Sequence, residues 1–379
     1  MGLPAAKRAL VREVNRVAPL LFRVSRELYR QPELGFKEHL SSALLANILE
    51  GAGFRVERGL AGMPTAFRAQ CGSGEPRVAI LAEYDALPEL GHACGHNLIA
   101  AASLGAALAL AALAERPAGT VVVLGTPAEE GAAEGAGGKV ALLEAGAFAG
   151  LAAALMVHPG DQDAVDVRTA AREAMEARCY GAGALDALLW FFAALQGLGP
   201  AEEEVLVHGV IREGGRSPWC DPREAVGRLY VRAATSDELD RAVRRTGERL
   251  AAAARSLDCR AELAPYARTY REFRPNATLA RLYRDNLRLL GREAACGGQA
   301  YGATDMGNVS QALPAMHGYI NVADRPLSAH TREFARACLS GRGRRALLDA
   351  AKGLGMTVLD CLREEGTLAA AWQDFRAGG

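Results

Sequence analysis

Lysine is nearly missing from this chain. Of 44 basic residues only Lys7, Lys37, Lys139 and Lys352 are lysines, and the remainder are arginines. Together with the many Ala and Gly residues, that skew reads as compositional bias and not as a binding surface. The basic residues are matched by 44 acidic ones, so net charge is absent as well. Without a field of one sign, the chain has no bias toward nucleic acid or an anionic membrane. There is no apolar core region after Met1 of the kind a secretory signal needs. The longest small apolar run, 99–114, is short for a membrane span and predicts a buried helix. CxxC pairs are missing too: the eight cysteines stand singly, which suits reduced thiols in a cytoplasmic setting. No internal repeat or low-complexity tract appears.

What is present is half hydrophobic and long enough, at 379 residues, for two or three compact units. Helical spacing of Leu20, Leu21 and Val24 predicts helix over much of 5–51, interrupted at Gln31-Pro32-Glu33-Leu34-Gly35-Phe36. Strand-like alternation follows from Phe54 to Cys71. Short apolar runs at Arg77–Leu81, Val121–Leu124 and Leu151–Val157 have the pattern of strands buried on both faces, with helices expected at about 95–115 and 137–146. This alternation predicts an α/β unit with a largely parallel sheet. From about 164 to 266 the order becomes strand-helix-strand-strand-helix-strand, as in a ferredoxin-like α+β domain, with helices near 184–197 and 236–256. The expected organisation is a discontinuous catalytic domain, 1–163 and 267–379, with a second domain inserted at 164–266. A helix from about 343 to 364 is expected near the end.

The chemistry concentrates just past the expected strand ends. Ala82-Glu83-Tyr84-Asp85-Ala86-Leu87-Pro88 runs on through His92-Ala93-Cys94-Gly95-His96-Asn97, giving acids, imidazoles and a thiol within a few turns of chain. Thr126-Pro127-Ala128-Glu129-Glu130-Gly131 and Val157-His158-Pro159-Gly160 follow. Open α/β sheets bind their ligands at carboxyl strand ends. Taken alone, Cys94 and His96 fit a buried thiol and a core histidine as well as a metal pair. Glu129 and Glu130 alone fit a solvated pair, and His158 alone fits a structural role. Three such segments at one sheet edge point to a single metal site, where one carboxylate ligates and its neighbour handles a proton. A last ligand must come from the C-terminal third. His330, at an expected helix start, is better placed than His317 within a strand, while His39 is expected to be solvated. Asp305 either recognises a cationic amine or caps a turn.

The motifs AEYDALPELGHACGHN, TPAEEG, VHPG, GATDMGN and SAHTREF resemble, in that order and over nearly the whole chain, the aminoacylase/carboxypeptidase group of co-catalytic metallohydrolases. The branch with the Cys-Gly-His signature fits best. The resemblance implies a di-zinc-exopeptidase-like catalytic domain with an inserted ferredoxin-like lid, through which a homodimer forms. It implies two divalent ions, Zn or Mn, held by Cys94, His96, Glu130, His158 and His330. Glu129 is then the general base and Asp85 orients a ligand. The implied reaction is hydrolysis of an amide bond in a small substrate: a dipeptide with a basic C-terminal residue such as β-alanyl-lysine, p-aminobenzoyl-glutamate, or an N-acyl amino acid.

The chain departs from the group in the lid. Relatives carry, after the first lid strand, a segment whose histidine stabilises the oxyanion across the dimer. Here Tyr180-Gly181 passes directly to Ala182-Gly183-Ala184, a shortening at 181–183, and Trp219 replaces an expected Asn three residues before Pro222. Arg232 matches an arginine that the group uses for substrate, and either His208 or the metals alone would then stabilise the oxyanion. Two classes of function stay open: a working amidohydrolase, or a metal-binding homologue impaired in catalysis.

Overall fold

The computed structural model describes residues 4–195, 205–219, 221–300, 302–364 and 366–378. The chain forms two compact units. One comprises Met1–Arg168, Arg274–Gly298 and Val309–Gly379; the other comprises Thr169–Phe273 and Gln299–Asn308.

The first unit is built on an eight-stranded mixed sheet. In spatial order it runs Arg55–Arg58, Phe67–Ser73, Gly119–Thr126, Arg77–Glu83, Ala153–Gly160, Ala315–Asn321, then the two-residue strands Ala164–Val165 and Ala295–Cys296. The four central strands are mutually parallel, and Arg55–Arg58 and Phe67–Ser73 add an antiparallel margin. The Val, Ile and Leu of Arg77–Glu83 and Gly119–Thr126 are buried on both faces, as continuous apolar runs require.

The alanine-rich run forms the helix His96–Ala111, every residue of which is buried. It packs against the sheet and against the helices Ala5–Arg30 and Gly341–Arg363. Small side chains permit this approach. A Cβ added to Gly105 would stand 2.6 Å from Leu21 Cδ1 and 3.1 Å from Ala351 Cβ. No helix among the described residues is long and apolar enough to cross a membrane. Beyond the expected C-terminal helix lies a further one, Thr367–Ala377, beside the helix Ala277–Leu289. Its first residue follows Gly366 in the left-handed region, the break that separates it from its predecessor.

The second unit has an antiparallel sheet in the order Arg260–Pro265, Ala171–Tyr180, Glu224–Ala233, Leu206–Glu213. Numbered along the chain this is 4-1-3-2, the ferredoxin-like arrangement. The helices Ala184–Leu195 and Ser236–Ser256 pack on the sheet and on each other. The expected helix 184–197 is described as far as Leu195, and its last two residues lie outside the described residues. A capping box opens Ser236–Ser256: Thr235 Oγ1 accepts from Glu238 N, and Glu238 Oε2 accepts from Thr235 N. Ala171–Tyr180 passes to its helix through Gly181, Ala182 and Gly183, both glycines at positive φ. Leu206–Glu213 is an edge strand, and Val210 and Ile211 on it are exposed.

Gly105→Val places a branched side chain where the helices touch. Urea unfolding should show a loss of roughly 1–3 kcal/mol, the usual cost of overpacking. An unchanged midpoint would show that the helices separate freely.

Candidate metal centre

Sheet register brings the motif segments together. Glu83, last in its strand, pairs with Thr126, and the two chains then leave the sheet side by side. One carries Asp85 and turns back through Cys94 to His96; the other carries Glu129 and Glu130. His158 stands near the end of the next parallel strand, paired with Tyr319.

Asp85 joins the first two segments. Its Oδ1 accepts from His96 Nδ1 at 2.9 Å, and its own carbonyl oxygen lies 3.0 Å from the same nitrogen. Carboxylate and carbonyl oxygens only accept, so the Nδ1 hydrogen is fixed and Nε2 is turned to the cluster. The Oδ2 of Asp85 accepts from Glu130 N at 2.8 Å. His158 is set in the same way: Nδ1 donates to the Pro159 carbonyl at 2.7 Å, leaving Nε2 3.4 Å from Cys94 Sγ. Between Cys94 and His96 only glycine fits. Gly95 has φ +83°, and a Cβ there would meet Pro159 Cγ at 2.4 Å and Cys338 Sγ at 3.0 Å.

His330 arrives from the C-terminal third. It is itself in the left-handed region, at φ +63°, and its N–H donates to Ala93 O at 2.9 Å beside Cys94. Its Nε2 lies 3.9 Å from Glu130 Oε2. Among the described residues of the first unit, three groups bring ligand atoms within 4.8 Å of one another: Cys94, His96 and His158; Cys94, Glu130 and His330; His96, Glu129 and Glu130. His317 is instead buried within its strand, its ring edge-on to that of His158 at 5.7 Å. His39 is exposed.

The donor set suits a divalent cation. Buried His96 Nε2, Glu130 Oε1 and Glu83 Oε2 have no hydrogen-bond partner, although each sits within this cluster. Orphaned polar atoms at such a density are costly unless something charged satisfies them. Protonation does so in part. Burial, with nearby Asp85 and Glu83, raises Glu130 to about 7. Burial raises Cys94 well above the ordinary thiol value, and Glu130 adds to the rise. For His96 burial acts the other way, but Cys94 and Asp85 overcome it and hold the imidazole well above its usual pKa. The protons so held are the ones a cation would displace.

Four residues at this centre were given no role in the sequence reading. Glu83 pairs with Lys139 in a fully buried ion pair; that Lys139 is one of only four lysines was the available signal. Glu38, buried, accepts from Ala128 N at 2.8 Å and so holds the residue before Glu129. Ala128 is strained, at φ +54° without being glycine, and this hydrogen bond helps to keep it there. Tyr319 lies 5.7 Å from the His158 ring.

In the second unit, Arg232 Nη1 donates to His208 Nδ1 at 3.2 Å, which joins two of the residues expected to bind substrate. Arg172 stands opposite Arg232 in the sheet, over the Tyr270 ring at 3.8 Å, and was not foreseen. Asp305 is buried in this unit. It is Thr304 Oγ1 that accepts from Met306 N at 3.2 Å in the adjoining turn. Trp219 is almost wholly exposed.

The profile of peptidase family M20/M25/M40 matches residues 79–350. The Xaa-Arg dipeptidase of Mus musculus is 35% identical, over 99% of this chain and 93% of its own length. Its human counterpart is 34% identical over 96% and 90%. The mouse alignment runs over 407 positions, more than the 379 residues here, so that relative carries residues this chain lacks. Among solved structures, the Bacillus subtilis YXEP protein, described as a dinuclear metal-binding peptidase, superposes with a TM-score of 0.69 at 21% identity, covering 92% of this chain and 99% of that one.

Burial, with Asp85 nearby, lifts the Glu38 carboxyl to about 7. A carboxyl raised above its unfolded value contributes stability below pH 4.5 that is lost as pH rises through 7. Wild-type stability should therefore fall relative to Glu38→Gln across that window, by up to ~1.4 kcal/mol per pH unit. Glu38→Ala, which strands the Ala128 N–H, should cost roughly 1–3 kcal/mol at every pH. Urea unfolding of chelator-treated protein between pH 4.5 and 8 measures both; parallel curves for wild type and Glu38→Gln would place the Glu38 pKa elsewhere.

Proposed function

Since the chain belongs to peptidase family M20/M25/M40, we propose that it is a dinuclear metallo-dipeptidase cleaving small dipeptides with a basic C-terminal residue. The observation that carries this reading is the set of orphaned, buried donor atoms gathered around Cys94, His96, Glu130, His158 and His330. These five are the proposed ligands. Two bound divalent ions would supply Lewis acidity and a water of lowered pKa. Zinc suits the thiolate and imidazoles, and manganese is compatible with the carboxylates.

Glu129 is the proposed base. It is adjacent to a ligand, buried, and within 3.9 Å of His96 Nε2, so its carboxylate borders the cluster. It takes the proton of the attacking water and returns it to the departing amine. Asp85 holds His96 and Glu130 in place throughout. Arg232 is suited to a substrate carboxylate and His208, its hydrogen-bond partner, to the oxyanion. Asp305 would meet a cationic amine.

The three-residue turn Gly181–Gly183 favours one second reading, a metal-binding homologue with weakened catalysis, because the segment that carries the oxyanion histidine in relatives has no room there. Loss of one such donor costs ~10²–10³ in turnover. The proposed domains are a discontinuous catalytic domain, 1–163 with 267–379, and an inserted lid, 164–266. A homodimer would form at the Leu206–Glu213 edge, where Val210 and Ile211 offer an apolar strand to a second copy. A reducing, cytoplasmic setting suits the seven described cysteines, all free.

Purified protein should bind two ions per chain and hydrolyse β-alanyl-lysine. Two ions with no turnover on any dipeptide or N-acyl amino acid would establish the impaired reading. Glu129→Gln should keep its metal while turnover falls ~10²–10⁴-fold; near-normal turnover would remove Glu129 from the base role. Val210→Lys with Ile211→Lys should shift the light-scattering mass from dimer to monomer and leave metal content unchanged. A mass unaffected by the pair would put the interface elsewhere.

A further inference from the structure

Glu83 lies at the centre of the cluster without belonging to the ligand set. It is wholly buried at the end of its strand, and one oxygen, Oε1, pairs with Lys139 Nζ, also wholly buried. The other, Oε2, makes no hydrogen bond and stands 3.5 Å from His96 Nε2. That nitrogen is also 3.9 Å from Glu129 Oε2 and 3.8 Å from Glu130 Oε1. Three carboxylate oxygens therefore surround one imidazole nitrogen, and two of the three, from Glu83 and Glu130, are orphaned.

A lysine–glutamate pair in a dry interior repays its desolvation only when the remaining lone pairs are satisfied as well. Here half of the carboxylate is left open, and it faces the donors of the centre. Lys139 is placed with some precision to hold the other half. Gly138 packs so tightly that a Cβ would come within 1.9 Å of Pro127 O, and Gly137 N donates to Ala128 O at 2.8 Å. The lysine is thus fastened to the loop that carries Glu129 and Glu130.

We propose that Glu83 is a further metal ligand, giving its Oε2 to the ion held by His96 while Lys139 occupies Oε1. The inference rests on the dinuclear reading above, and the measurements separate the two. Ion stoichiometry and affinity are read by competition with a chromophoric chelator, and coordination by the visible spectrum of the cobalt(II)-substituted protein. Glu83→Gln should weaken one of two ions by ~10–100-fold and change the cobalt spectrum. Because a stranded Lys139 could unfold that variant, Glu83→Met with Lys139→Met replaces the pair by apolar side chains of similar length. It should fold, as circular dichroism would show, and display the same loss at one site. A double variant that binds both ions with wild-type affinity and spectrum would reduce the pair to a structural salt bridge and overturn the proposal. Wild-type protein that binds no ion at all would overturn both this and the dinuclear reading.

Discussion

One carboxylate organises the centre. Asp85 spends Oδ1 on His96 Nδ1 and Oδ2 on the backbone N–H of Glu130, so a single buried side chain fixes two segments 45 residues apart. Without it, the loop after Thr126 and the turn after Pro88 would be adjacent through strand register but free to rotate. With it, the direction of His96 Nε2 and the position of Glu130 are set together. Glu38 repeats the device two residues earlier, at Ala128. The site is preorganised by acceptors that hold backbone and ring hydrogens, and the atoms left unsatisfied are those that face its middle.

The second unit has a different logic. Its strand order is complete and its helix properly capped, so the short Gly181–Gly183 turn is no defect of folding. Two glycines at positive φ let the chain reverse within three residues and start its helix at once. The scaffold on both sides of the turn is intact. Arg232, His208 and Arg172 keep a cationic and hydrogen-bonding character on that sheet.

Much of this was legible in the sequence, for identifiable reasons. Fully buried parallel strands leave continuous apolar runs, and a helix hidden on every side leaves an unbroken run of small residues, so the sheet and the Ala-rich helix could be read directly. The segments bearing Cys94, His96, Glu129, Glu130 and His158 were visible because each follows such a run. Glu38 was not, since its partner Ala128 is 90 residues away and no local pattern marks the pair. Glu83 stood in plain view beside Asp85, but its meaning depends on Lys139, 56 residues later. The terminal helix Thr367–Ala377 was missed because it has little apolar face to read; among its described residues only Ala371 is buried.

His96 is also the first residue of the helix His96–Ala111, the longest element of the first unit that is buried at every residue. Whatever grips its imidazole therefore grips the end of the rod around which that unit is packed. Opening the core must pull this residue away from the centre, so an occupied centre acts as a latch on the slow step of unfolding. If that occupant is a metal ion, a chelating environment would shorten the lifetime of the folded chain and expose it to proteases.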